Sequence, residues 1–180
     1  MGEGGTEAMK KLILSITMIF LAFAFTACGN EANTEATEAN NEEVNNEIAN
    51  PWIDCANLDE AAQVAGFDIA VPDRIDGYPN TFIQAMEKEM IQVFYSDKDL
   101  EDETYSAILI RKGFGDDISG DYNEYAENKT VEMHGISVNL SGNDGLIYKA
   151  LWQQDGFAYS IGADKGIEEA LVNELVELVK

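Results

Sequence analysis

The stretch Tyr148-Lys149-Ala150-Leu151-Trp152-Gln153-Gln154-Asp155-Gly156-Phe157-Ala158-Tyr159-Ser160-Ile161 decides the fold. Asp-Gly is a favoured pair for a two-residue primed turn, in which both central residues take positive φ. A turn at Asp155-Gly156 sets Gln154 against Phe157, Trp152 against Tyr159 and Ala150 against Ile161. Directly opposed residues share a face of the sheet. Tyr148, Ala150, Trp152, Phe157, Tyr159 and Ile161 are therefore expected to form one apolar surface, which needs cover from another element.

A second hairpin agrees with the first. A turn at His134-Gly135 pairs Met133 with Ile136 and Val131 with Val138, leaving Glu132, Ser137, Thr130 and Asn139 on the opposite face. Two independent registers thus point to one antiparallel sheet with one side buried. Upstream, residues 81–86, Met90–Ser96 and 105–112 read as strands, with a tight turn at Glu87-Lys88-Glu89 and an acidic loop over 97–103. Asn57-Leu58-Asp59-Glu60 is a capping box, with Asn57 as N-cap and Glu60 reaching back. Ala61, Ala62, Val64 and Ala65 continue that helix, and Gly66 can close it in the left-handed conformation. At the far end Asp164 is expected to cap a helix carrying Ile167, Leu171, Leu175 and Leu178 on one stripe. Glu168, Glu169, Glu174 and Glu177 fall largely off that stripe. The expected architecture is α+β: a meander of about seven antiparallel strands with one helix at each end of the domain, packing on the sheet.

The N-terminus carries an address. Lys10-Lys11 precede an apolar run over 12–25, which leads into Thr26-Ala27-Cys28-Gly29. A basic start, a short greasy segment and small residues at a cleavage point are the parts of a secretory signal. The run is shorter than the ~20 residues a helix needs to cross a bilayer. The cysteine after the small residues resembles the lipid-attachment point of bacterial lipoproteins. That resemblance implies a diacylglyceryl thioether on Cys28 and a chain held on the extracytoplasmic face of the cell membrane. Acidic Glu3 and Glu7 precede a region that should be basic, so Met9 is the expected translation start. Residues 28–50 are rich in Asn, Glu, Ala and Thr without an apolar period, the composition of a disordered tether. The expected organisation is a signal peptide over 1–27, the acylated Cys28 with its linker over 28–50, and a single domain over 51–180.

Charge and chemistry exclude several function classes. With 11 basic and 34 acidic residues the net charge is −23. Such a surface repels nucleic acid and anionic lipid. If Cys28 is acylated, Cys55 has no disulfide partner, and it reads as a small buried residue. One histidine and one free thiol do not make a zinc site of the usual kind. A serine triad would need His134 out of its turn, and neither a Gly-x-Ser-x-Gly elbow nor a glycine-rich phosphate loop is present. No cofactor, metal or catalytic residue is assigned. Two acidic clusters, Asp97 to Glu103 and Asp116 to Glu124, depart from the calcium-loop spacing and read as solvated loops. Tyr122 and Tyr125, flanked by acids, are either an exposed recognition patch or packing for a loop. Asp117, Ser119, Asp121, Tyr122 and Tyr125 within loop 113–125 are the candidate contact residues.

From Pro51 onward the sequence also resembles an extracytoplasmic family, domain of unknown function 4367. The residues that carry the resemblance are Leu58-Asp59-Glu60-Ala61-Ala62 with Gly66-Phe67, then Pro72 and Gly77-Tyr78. It continues through Asp117-Ile118-Ser119-Gly120-Asp121-Tyr122-Asn123, Gly142-Asn143-Asp144-Gly145, Ala150-Leu151-Trp152 and Asp155-Gly156 to Tyr159-Ser160. Members resemble lipoproteins or exported ends of membrane proteins, some similar to lipoprotein carriers and some to regulators. The resemblance carries no catalytic residue. The expected function is a non-catalytic binding or interaction module with a protein or apolar partner at the cell surface, with a carrier of a lipid or other apolar ligand, or an envelope-stress or regulatory sensor, as alternatives.

Overall fold

Four hairpin turns build most of the sheet, and each places a non-glycine residue at positive φ. Lys88, His134, Asp144 and Asp155 take φ of 56°, 51°, 53° and 52°. The last three are each followed by a glycine that is also at positive φ, as a primed two-residue turn requires. The computed structural model describes residues 50–180. The signal expected over 1–27, Cys28 and the linker up to residue 49 lie outside the described residues.

The described chain runs β1 (Ile53–Cys55), α1 (Leu58–Ala65), β2 (Asn80–Met86), β3 (Met90–Ser96), β4 (Ala107–Gly113), β5 (Glu127–Met133), β6 (Ile136–Asn143), β7 (Leu146–Gln154), β8 (Phe157–Ile167) and α2 (Glu169–Leu178). All eight strands form one antiparallel sheet in the order β1-β2-β3-β4-β8-β7-β6-β5. Two four-strand meanders thus lie side by side, meeting where β4 pairs with β8. Residues 114–126 carry the chain from β4 to β5 on the far edge. The α+β reading holds, with eight strands where about seven were expected. The added strand is β1, too short for an apolar period to reveal it, and α1 follows it instead of opening the domain.

Both predicted hairpin registers are present: Gln154 opposes Phe157, Trp152 opposes Tyr159, Met133 opposes Ile136 and Val131 opposes Val138. One face of the sheet supplies Ile91, Val93, Tyr95, Ile108, Ile110, Val138, Leu140, Ala150, Trp152, Tyr159 and Ile161 to a single buried core. Both helices close over that face. α1 contributes Ala61 and Ala65, small enough for its backbone to lie close to β2 and β3. Asn57 caps it, its Oδ1 accepting from the Glu60 amide at 2.9 Å, and Gly66 closes it at φ 80°. Glu60 reaches back to the amide of Ala56, one residue before the expected target, at 2.8 Å. Cys55 is buried at the edge of this core as a free thiol, its pKa pushed up by burial.

Three expectations need correction. β8 continues through Ile167, so Asp164 lies in a strand and caps nothing. Its Oδ2 accepts from the Ala107 amide at 2.9 Å, tying the end of β8 to the start of β4. α2 accordingly begins at Glu169 with Glu168 as an N-cap that makes no side-chain bond. The buried stripe of this end is Val172, Leu175, Val176 and Val179, whereas Leu178 is exposed and Ile167 is core from the sheet. Finally, Tyr148 leaves the aromatic surface. The register slips between Ile147 and Lys149, Ile147 pairing with Ile167 while Lys149 pairs with Gly162. The bulge sends Ile147 into the core and turns Tyr148 towards loop 114–126, where its ring stacks on Tyr125.

On the β6 side the same irregularity falls between Ser141, which pairs with Lys149, and Gly142, which pairs with Ile147, and it brings β6 against the backbone of Leu146. A Cβ at residue 142 would collide with the Leu146 carbonyl oxygen, which a flexible side chain cannot relieve. Gly142→Ala is expected to destabilise the domain by about 3 kcal/mol, read as a lowered urea midpoint at unchanged slope. A midpoint equal to that of the parent would show that the β6–β7 bulge is not close-packed.

Candidate functional site

The sheet face away from the helices carries a row of polar side chains that follows directly from the strand registers. Asp54 lies beside Gln84, Gln84 beside Gln92, Gln92 beside Arg111, and Arg111 beside Ser160. The side chains bond in the same sequence. Gln84 Nε2 donates to Asp54 Oδ1 at 2.7 Å, Gln92 Nε2 to Gln84 Oε1 at 2.6 Å, and Arg111 Nε to Gln92 Oε1 at 2.9 Å. The Trp52 ring lies 5.7 Å from the guanidinium carbon, a cation–π distance.

Arg111 ends this chain of bonds at loop 114–126. Its Nη1 donates to the carbonyl of Ile118 at 3.0 Å and to that of Ser119. Gly120, at φ 65°, lets the loop lie against the guanidinium: a Cβ there would stand 2.6 Å from Nη1. No carboxylate pairs with Arg111 among the described residues. Burial lowers its pKa, yet a guanidinium stays charged in a protein, so two backbone carbonyls and an amide oxygen carry its solvation. Its Nη2 donates to no atom among the described residues.

Lys149 holds the other side of the loop. Its Nζ donates to the Asp121 carbonyl at 3.0 Å and stands 3.6 Å from Asp117 Oδ2. Gln153 Nε2 donates to the Gly115 carbonyl at 2.9 Å, and Ile118 buries its side chain with Met90 and Ala158. The bulge that displaces Tyr148 therefore has a use, because the Tyr148 ring stacks on Tyr125 with centroids 5.5 Å apart.

The candidate contact residues now separate. Asp117, Ser119, Asp121 and Tyr125 come together and bond to one another. Asp117 Oδ1 accepts from the Ser119 amide and hydroxyl at 2.9 and 2.6 Å. Asp121 Oδ1 accepts from the Asn123 amide at 2.9 Å, and its Oδ2 from the Tyr125 hydroxyl at 2.6 Å. Partial burial alone pushes both carboxyls up, but these hydrogen bonds and the Lys149 ammonium outweigh it and hold them below the usual range. Burial and the Asp121 bond push the Tyr125 phenol up to about 12. Tyr122 is the exception: it projects into solvent, 96% exposed. Behind the loop lies a cleft of about 610 Å³, lined by Leu109, Arg111, Gly120, Tyr125, Tyr148 and Asn143 among others.

The other acidic loop is bound up internally as well. Asp97 accepts from the Ser106 amide at 2.6 Å and pairs with Lys165 at 3.1 Å, while Asp102 accepts from Thr104. Among the described residues no three His, Cys, Asp or Glu side chains converge as a metal-holding group. Sequence reading missed Arg111, Lys149 and Tyr148. The signal for Arg111 is its alternation with buried Ile108 and Ile110, which places a cation on the uncovered face. Comparison with protein-family models, with curated proteins and with solved structures found no match.

Two outcomes follow. Arg111→Met removes the donor to one amide oxygen and two carbonyls, and is expected to cost about 2–4 kcal/mol; a loss under about 1 kcal/mol in urea unfolding would contradict the role given to it. Depressed carboxyls contribute stability that is complete above their unfolded pKa of about 3.9 and lost as pH falls through the folded value. Stability of the parent should therefore fall below about pH 4 more steeply than that of the Asp117→Asn/Asp121→Asn variant. Parallel curves would remove these two residues from the acid response.

Proposed function

We propose that the chain is a membrane-anchored extracytoplasmic lipoprotein and a non-catalytic binding module whose contact surface is loop 114–126. One observation carries the reading: a long segment without helix or strand is held in place by Arg111, Lys149 and its own side chains, and it presents Tyr122 to water. Segments of this length without secondary structure are uncommon in small domains, and those that are ordered are usually functional. An aromatic on a pre-ordered loop binds without a large ordering cost, and tyrosine is enriched among residues that dominate binding energy. The lipoprotein-type N-terminus ending at Cys28, and the resemblance to domain of unknown function 4367, support a cell-surface setting for the partner.

A second reading has its own observation. On the helical face a cleft of about 440 Å³ opens between α1, residues 71–73 and strands β2 and β3, with Leu58, Val71, Pro72, Ile83 and Val93 in its wall. That volume is within the range of small-molecule sites, and an apolar ligand seated there would make the chain a carrier.

Crosslinking pull-down from intact cells, with lipid extraction in parallel, tests both. The parent should recover a protein partner that Tyr122→Ala loses by tenfold or more, with no change in thermal midpoint and with recovery of the parent dependent on Cys28. Equal recovery by Tyr122→Ala would refute the loop as the contact surface. Lipid co-purifying with Tyr122→Ala and parent alike would favour the carrier.

A further inference from the structure

Lys112 stands on the helical face of β4, opposite Tyr159, and its side chain is 8% exposed. Three aromatic rings surround its ammonium, with centroids of Phe157, Tyr159 and Phe67 at 4.7, 5.5 and 5.9 Å. Rings attract a positive charge but accept no strong hydrogen bond. Among the described residues Lys112 Nζ donates no hydrogen bond, and its one ion pair is with Asp68 Oδ1 at 3.9 Å. The Asp68 side chain is 94% exposed, so the ammonium lies at the mouth of a cleft and not sealed within the core. That cleft measures about 280 Å³, and its wall also holds Ile69, Asp155 and Lys180. Its charged side chains are thus two lysines and two carboxylates, a balance that suits an uncharged ligand better than an ion of either sign.

The surroundings of Nζ favour its charge and fail its protons. An ammonium brings three N–H donors to a cage that offers rings in place of acceptors, and donors withdrawn from water without partners are costly. A protonated imine on the same nitrogen keeps the positive charge among the rings and carries a single N–H. Amines in desolvated pockets form such imines with carbonyl compounds. Burial lowers the Lys112 pKa, against the opposing pull of Asp68 and Asp155, so more of the free amine is present than on an ordinary lysine.

We propose that Lys112 is a carbonyl-capture site, at which a small uncharged apolar aldehyde condenses with Nζ and rests its body against Phe157, Tyr159 and Ile69, on the face of the sheet opposite Arg111. The step needs no further reagent. The amine adds to the carbonyl carbon, a C–N bond forms and the C=O π pair moves to oxygen. The nitrogen lone pair then makes the C=N bond as that oxygen leaves as water. Of the three ammonium protons two depart in the water and one stays on the iminium. The carboxylates of Asp68 and Asp155, in the wall of the cleft, are placed to take a proton from the ammonium and return it to the leaving hydroxyl.

The full chain in detergent, treated at neutral pH with propanal or benzaldehyde and with cyanoborohydride to trap the iminium, then mapped by peptide mass spectrometry, tests this. Lys112 should be alkylated tenfold or more faster than Lys88, whose side chain is 80% exposed, and than Lys180 in the same cleft. In the chain unfolded by urea the three should react alike. Phe157→Leu removes the ring closest to Nζ and should slow Lys112 severalfold while leaving Lys88 unaffected. Lys112 reacting no faster than Lys88 or Lys180 in the folded parent, a comparison that needs no variant to fold, would overturn the proposal. A preference that survives unfolding, or an undiminished rate in Phe157→Leu, would overturn the part given to the cage.

Discussion

The open face of this sheet depends on how one guanidinium is solvated. Arg111 sits where the two four-strand meanders meet, paired in register with Ser160 across the β4–β8 seam. Removed from most water and given no carboxylate among the described residues, it must take its hydrogen bonds from neutral oxygens. One is Gln92 Oε1, itself bonded through Gln84 to Asp54 on the edge strand. The other two are the carbonyls of Ile118 and Ser119. A cation partly withdrawn from water and left short of acceptors is costly, so the requirement acts in both directions. Arg111 fixes the loop, and the loop completes the solvation of Arg111.

The two faces of the sheet consequently do different work. The helical face is apolar and filled by α1, α2 and the aromatic pair Trp152–Tyr159, whose rings lie 5.2 Å apart and nearly parallel. Burial there supplies the stability. The opposite face has no helix over it, and its order comes from side-chain hydrogen bonds in register. The chain segment that crosses from β4 to β5 has no ladder of its own, so side chains projecting from the sheet satisfy its backbone carbonyls at Gly115, Ile118, Ser119 and Asp121. A loop ordered in this way can keep an aromatic at its tip in water without collapsing onto the core.

Much of the sheet was legible because its decisive signals are local. Asp155-Gly156 and His134-Gly135 each fix a register within two residues, and opposing side chains then confirm it. The α1 caps were legible for the same reason. What could not be read depends on partners distant in sequence. Asp164 has the chemistry of an N-cap, but its carboxylate is taken by the Ala107 amide from a strand far upstream, and α2 starts later. Tyr148 alternates with Ala150 and Trp152 in sequence, yet a bulge turns it to the other face, where Gly166 leaves room for its ring. The candidate loop was identified from its acids and tyrosines. That most of those acids bond within the loop, and that Arg111 and Lys149 hold it, required the pairing of β4 with β8 and of β7 with β6.

Native-state hydrogen exchange of loop 114–126 tests the central claim most directly. The amides of Ser119, Asp121 and Asn123 donate to side chains inside the loop, and the carbonyls around them are held by Arg111 and Lys149. These three amides should exchange far more slowly than free chain, with protection that disappears together with the Arg111 contact. Exchange at free-chain rates in the intact protein would contradict an ordered loop and, with it, the role assigned to the half-buried guanidinium.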